Sequence, residues 1–198
     1  ELQRGQGRFA LDDNMGGTIG GLLNYRDGEL KELQKELDVM AYSFASQFNE
    51  AHSQGYDLNG DQGQAVFGGV DQIDGAAKNL TLLIDDPKQL AFAAKPGEPG
   101  NSENLQQLID LKNAPVAIDT STLDPAEAEK YKSAIAVLDG KSIYNSYTGM
   151  TGDWAIKTAQ LEADTSAAKS LVEQAEGERA SVSGVNLDEE AANIMTYT

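Results

Sequence analysis

The chain has 198 residues, enough to bury one full core or two small ones. With 15 basic against 32 acidic residues, its net charge of −17 repels nucleic-acid phosphates and anionic lipid surfaces, so neither is expected as a partner. The lack of cysteine removes disulfides, thiolate nucleophiles and cysteine-ligated metals together, and no apolar run approaches the ~20 residues of a membrane span. An aromatic content of 7% and a mean hydropathy of −0.43 favour helices around a modest core over a dense β-sandwich.

Near the start, Phe9-Ala10-Leu11 followed by Asp12-Asp13-Asn14 and Gly16-Gly17 predicts a strand end and a turn. From Thr18, a candidate N-cap, the residues Leu23, Leu30, Leu37, Phe44 and Ala51 recur in heptads, with Leu33 and Met40 between them. That spacing predicts a long amphipathic helix with a coiled-coil-like seam. Gly20, Gly21 and Gly28 each weaken the helix by about 1 kcal/mol relative to alanine, which puts its firm part from Glu29 onward. Glu29, Lys31, Glu32, Lys35, Glu36 and Asp38 read as the solvated face. The only histidine, His52, sits beside Asn49 and Gln54 and reads as a surface or helix-end group, too isolated for a zinc site.

Asp57-Leu58-Asn59-Gly60-Asp61-Gln62-Gly63 opens like a calcium loop, with oxygen ligands at its first, third and fifth positions. It then departs from that pattern, because Gln62 stands where glycine is needed and Gly68 where a bidentate glutamate is needed. An Asx-rich turn ending the helix is the expected structure. Residues 53–79 as a whole read as a loop with Ala65-Val66-Phe67 as its one apolar anchor, and Leu80 to Ile84 as the best strand of the chain. Asp86-Pro87 supplies a cap and a first-turn proline for a helical turn, and Lys95 to Gly100 is a break. Ser102 is expected to begin a short helix presenting Leu105, Leu108, Ile109 and Leu111. Asp124-Pro125 starts another, running from 125 to 138 and stopping at Asp139-Gly140. Beyond it Tyr147, Trp154, Leu161, Ala168, Ala175 and Val182 again repeat in heptads, predicting a second long helix whose small residues Ala167, Ala168 and Ala175 would admit the first one closely.

In Gly184 to Met195, Asn186 is a good N-cap, Glu189 completes a capping box, and Leu187, Ala191, Ile194 and Met195 form one apolar stripe. That stripe needs a partner surface and is the candidate interface. No nucleophile elbow, phosphate loop, dinucleotide fingerprint or His-Glu-x-x-His motif occurs, so catalytic, metal-binding and cofactor residues are expected to be none.

Several of these stretches together resemble the bacterial flagellar hook-associated protein 1 family. They are Gly16-Gly17-Thr18-Ile19-Gly20-Gly21-Leu22-Leu23, Tyr25-Arg26-Asp27, Phe48-Asn49, His52, Gly55-Tyr56-Asp57-Leu58-Asn59-Gly60, and the approach Arg179-Ala180-Ser181-Val182-Ser183-Gly184-Val185 into Asn186-Leu187-Asp188-Glu189-Glu190. The family pattern places a Gly-Asp-Asn turn where Gly100-Asn101-Ser102 only approximates it. The expected fold is mainly α with a small α+β insertion: two long helices, about 20–52 and 142–183, packed antiparallel as a rod-like bundle. The domain boundaries that follow are a discontinuous helical rod at 1–59 and 141–185, an insertion at 60–140, and at 186–198 the start of a truncated C-terminal axial helix.

The resemblance implies a non-enzymatic structural role at the extracellular junction between hook and filament. It also implies type III export with an export chaperone, and contacts with hook protein, the second hook–filament junction protein and neighbouring copies. The 198 residues read as an excised middle of a longer protein, lacking the terminal polymerisation helices and therefore monomeric alone. The alternatives are a related flagellar axial protein, of hook, rod or flagellin type, and a surface adhesin or calcium-binding module.

Overall fold

The structure is a computed structural model that describes residues 2–4, 7–9 and 17–183. The candidate interface residues Leu187, Ala191, Ile194 and Met195 lie outside the described residues. The chain divides into two compact units, Glu1–Met150 and Thr151–Thr198.

In the first unit Leu2–Arg4 (β1) and Gly7–Phe9 (β2) pair antiparallel, in line with the expected strand end. Helix α1, Gly17–Asn24, runs through a five-residue π-helical turn, Tyr25–Glu29, into α2, Leu30–Ser53. The wide turn contains Gly28 and ends where the regular helix was expected to firm up. Glycine lowers the cost of leaving α geometry, and Asp27, bridged to Arg26 and Lys31, ties the widened backbone to the turn that follows.

Met40 of the expected α2 seam is buried in the main core, but the heptad series itself is out of phase. The residues buried in this helix are Asp38, Val39, Met40, Ser43, Ala45 and His52, whereas Leu37, Phe44 and Ala51 are half-buried and Leu30 is exposed. The buried series 38, 45, 52 lies one residue after the expected series 37, 44, 51, which on a helix is a rotation of about 100°. Two assignments fall with it: Asp38 is not on a solvated face, and His52, fully buried, is not a surface group. The reason is that this face of α2 covers irregular backbone, so it carries polar side chains able to hydrogen-bond that backbone.

The main core is built by Val39 and Met40 of α2 with Ile73, Val116 and three residues of helix α5, Pro125–Leu138, namely Tyr131, Ala134 and Leu138. Helix α5 begins as its sequence predicts, with Asp124 accepting from the N–H groups of Ala126 and Glu127 and proline in the first turn. It ends at Asp139, followed by Gly140 at φ +70°. Ala114–Val116 then pairs with the chain leaving α5, through Val116 N–H to Lys141 at 2.7 Å and Ile143 N–H to Ala114 at 3.3 Å.

Residues 53–79 are more structured than a loop. Phe67–Gly68 (β3) pairs antiparallel with Thr81–Leu82 (β4), and Ala76–Asn79 forms a short helix, α3. Val66 is buried as expected, but Ile73, fully buried in the main core, is a second anchor. The Leu80–Ile84 strand is only two residues long, and Leu82 and Leu83 stay exposed. Its partner β3 offers only two residues to pair with, and Asp85-Asp86-Pro87 starts a 3₁₀ turn in which Asp86 accepts from Lys88 N–H.

Helix α4, Glu103–Asp110, begins after Ser102 as expected, but the side chain that caps it is that of Asn101. The Asn101 side-chain oxygen accepts from Glu103 N–H at 2.9 Å and from Ala94 N–H at 3.3 Å. Its inward residues are Asn104 and Leu108, while Ile109 is exposed.

Helix α6, Ile143–Ser183, has 41 residues and begins with Asn145 N–H donating to the Ser142 hydroxyl at 3.1 Å. Ile143 and Met150 join the main core of the first unit. In the second unit the described part of the helix has one half-buried residue, Trp154; the rest whose burial is assigned are exposed, including Leu161, Ala168 and Ala175 of the expected seam. Its surface is knitted along the helix by pairs such as Gln160–Asp164 at 2.8 Å and Gln174–Glu178 at 3.1 Å. The protein is mainly α with a small β component.

Candidate functional site

One face of α2 works as a template whose side chains hold the backbone of the insertion. At its first end, Asp38 accepts from Ala77 N–H at 3.0 Å and Gly75 N–H at 3.2 Å, capping α3 from outside. The Tyr131 hydroxyl lies 3.4 Å from Asp38 and donates to Asp74 at 2.9 Å, and Lys130 reaches Asp74 at 2.7 Å. Glu127 accepts from Ile73 N–H at 2.7 Å and Asp74 N–H at 3.0 Å. Burial, the hydrogen bond to Asp74 and the neighbouring carboxylates push the Tyr131 hydroxyl pKa well up. Hydrogen bonds from Lys130 and Tyr131 hold the Asp74 carboxyl below its usual value.

Further along, Gln47 donates to the Pro115 carbonyl at 3.3 Å. The side-chain oxygen of Asn49 accepts from Val66 N–H at 2.8 Å and Phe67 N–H at 2.9 Å, and its amide donates back to Phe67 at 2.8 Å. Phe44 and Phe48 close around the Phe67 ring at 5.4 and 5.2 Å, so the anchor is held by polar and aromatic contacts together.

His52 holds the other end. Its Nε2 accepts from Ala91 N–H at 2.8 Å, which leaves the proton on Nδ1 to donate to the Gln64 carbonyl at 2.7 Å. Ala91 is gripped from its other side by Asn104, whose amide donates to its carbonyl at 2.6 Å. The packing leaves no room for side chains here: a Cβ on Gly63 would overlap the His52 carbonyl, and one on Gly55 would overlap Asn104 and the Ala91 carbonyl. Burial outweighs the Gln64 hydrogen bond and lowers the His52 pKa.

The calcium-like stretch folds as an Asx turn. Asp57 Oδ1 accepts from Asn59 N–H and Asp61 N–H, both at 2.8 Å, and Gly60 takes φ +85°. The groove beside it, about 650 Å³, is lined by Asp57, Asn59, Asp61, Gln64 and Leu83 among others.

The polar face of α2 was legible residue by residue only in part. Asn49 and His52 stand in the stretches that carry the family resemblance, while Asp38 and His52 share a period of seven through Ala45 that shows as an inward face only once the structure fixes its phase.

These features define a class: a mainly helical chain in which one face of a long helix holds the irregular backbone of residues 64–91. The profile of the flagellar hook-associated protein FlgK helical domain matches residues 1–67, which hold α1, α2 and the first turns of the insertion. Flagellar hook-associated protein 1 of Escherichia coli strain K12 is 25% identical, covering 91% of this chain and 45% of the relative. The protein of that name in Salmonella typhimurium is 24% identical with the same coverage, and that of Bacillus subtilis is 27% identical over 86% of this chain and 31% of its own length. The chain is similar to flagellar hook-associated protein 1 over most of its length, and spans less than half the length of the proteins it matches.

Proposed function

We propose that this chain is a structural part of the bacterial flagellum, at the extracellular junction between hook and filament. The observation that carries the reading is the match, over 86 to 91% of the chain, to proteins of Escherichia coli and Bacillus subtilis that share one name. In this reading the chain is not an enzyme. The helical segments at 1–59 and 141–185 form the rod, and the insertion at 60–140, pinned to α2, faces outward. Its partners are hook protein, the second junction protein and neighbouring copies in the assembly, with an export chaperone before secretion. The exposed apolar residues of α6, Ile156, Leu161, Leu171 and Val172, fit a surface that meets other flagellar subunits.

The reading is tested by deleting the gene in frame in the bacterium that encodes it. Hooks without filaments, with flagellin shed into the medium and filaments restored by the wild-type gene, are expected. Normal filaments on the deletion strain would contradict it.

A further inference from the structure

We propose that His52 is an acid-operated clip: protonating its ring releases the Ala91 segment from the end of α2, while its Gln64 bond and the Asp38 end of the same helix stay closed. The geometry admits one protonation state. Nε2 faces the Ala91 N–H at 2.8 Å, so a proton added there sets donor against donor, with the ring fully buried.

Of the groups packed on the ring, the Gln64 carbonyl and the Phe48 face favour a positive charge, but neither offers an acceptor to a proton at Nε2, which faces the Ala91 N–H. The Phe48 ring of its own helix stacks on it at 6.3 Å and 14°, and the facing elements present the Gln64 carbonyl, the Ala91 N–H and Gly63. The charged side chains closest in sequence to these partners are Glu50, Asp61 and Glu103, all exposed, and no hydrogen bond or ion pair joins them to the imidazole. Lys88, three residues before Ala91, adds positive charge to the facing segment.

The Gln64 segment keeps its ties to α2, because the Asn49 side chain holds Val66 and Phe67 and Gln62 donates to Ser53. Once the His52 bond is lost, Ala91 and Ala93 stay tied to Asn104 and Tyr56, which lie outside α2. The Asp38 end rests on carboxylate, hydroxyl and backbone groups with no imidazole among them. A histidine titrating lower in the folded state than its free value of about 6.5 contributes stability that is complete above that pH and lost as pH falls below it.

The test is an NMR titration of the whole 198-residue chain from pH 7.5 to 5.0, following the imidazole nitrogens of His52 and the backbone amides. His52→Gln is measured beside it, because glutamine supplies one donor and one acceptor and does not titrate. The expected result is an imidazole midpoint below about 6.5. Amides at 89–105 should shift or broaden with it, those at 74–79 should hold still, and His52→Gln should respond nowhere. An imidazole midpoint at or above the free value, an unchanged 89–105 segment in the wild type, equal movement at 74–79, or the same response in His52→Gln would each overturn the proposal. If His52→Gln does not fold, the wild-type midpoint and the contrast between the two segments still decide it.

Discussion

Asp38 on α2 and Tyr131 on α5, separated by 93 positions in sequence, meet in the interior with carboxylate and hydroxyl 3.4 Å apart. The pair joins three segments, because Asp38 also accepts from the backbone at Gly75 and Ala77, and Tyr131 donates to Asp74. Asp38→Ala strands two backbone N–H groups in part-buried surroundings and is expected to cost about 2–4 kcal/mol in urea unfolding. Asp38→Asn, which keeps one acceptor, is expected to cost less. Glu50→Ala, on the exposed side of the same helix, should change stability by about 0.5 kcal/mol or less. Equal losses at Asp38 and Glu50 would contradict the buried role of Asp38.

The main core and the second unit differ in what a leucine contributes. Leu138 is 2% exposed, so Leu138→Ala is expected to cost about 2–5 kcal/mol. Leu171 is 67% exposed, so Leu171→Ala should leave the stability of the chain within about 0.5 kcal/mol of wild type. Chemical denaturation of the two variants checks both numbers.

Reading the sequence recovered element type better than element face. Caps and prolines are local, so Asp86, Asp124 and Gly140 act in the structure as their sequence context predicts. The face of α2 is decided by what packs on it. Leu37 and Phe44 look more core-like than Asp38 and His52, yet the face that turns inward carries acceptors and donors for the backbone of residues 64–91. Sequence spacing carries the period but not the phase when the covering layer is itself irregular. The same limit hid the Ile73 anchor, an isolated apolar residue among Asp71, Gln72 and Asp74. The terminal stripe Leu187, Ala191, Ile194 and Met195 stays an expectation from sequence alone.

The His52 end makes a steric prediction. Gly63→Ala forces a methyl group into the His52 carbonyl and the Ala91 side chain, and should destabilise the chain by about 1–3 kcal/mol. Gly100, with nothing within 4 Å of a built Cβ, should accept alanine at no cost or with a gain of about 0.4–1 kcal/mol. Paired thermal melts compare them, and similar midpoints would refute the close approach.

The Lys130–Asp74 ion pair is half-exposed on both sides, so Lys130→Ala is expected to cost about 0.5 kcal/mol or less at neutral pH. The Asp74 carboxyl titrates below its usual value, so its contribution is present above about pH 4 and lost as pH falls below it. Lys130→Ala should therefore lower the neutral plateau by no more than that amount and flatten the acid limb of a stability-versus-pH curve, the difference from wild type closing below about pH 4. A large loss at pH 7 would mean that the pair is shielded from solvent.

The place of the chain in the flagellum is tested most directly by immunogold electron microscopy, with antibodies raised against these 198 residues and applied to intact flagella of the bacterium that encodes them. Gold confined to a single band where hook meets filament is the predicted result. Label spread along the hook or the filament, or absent from flagella and found elsewhere on the cell surface, would contradict the junction assignment.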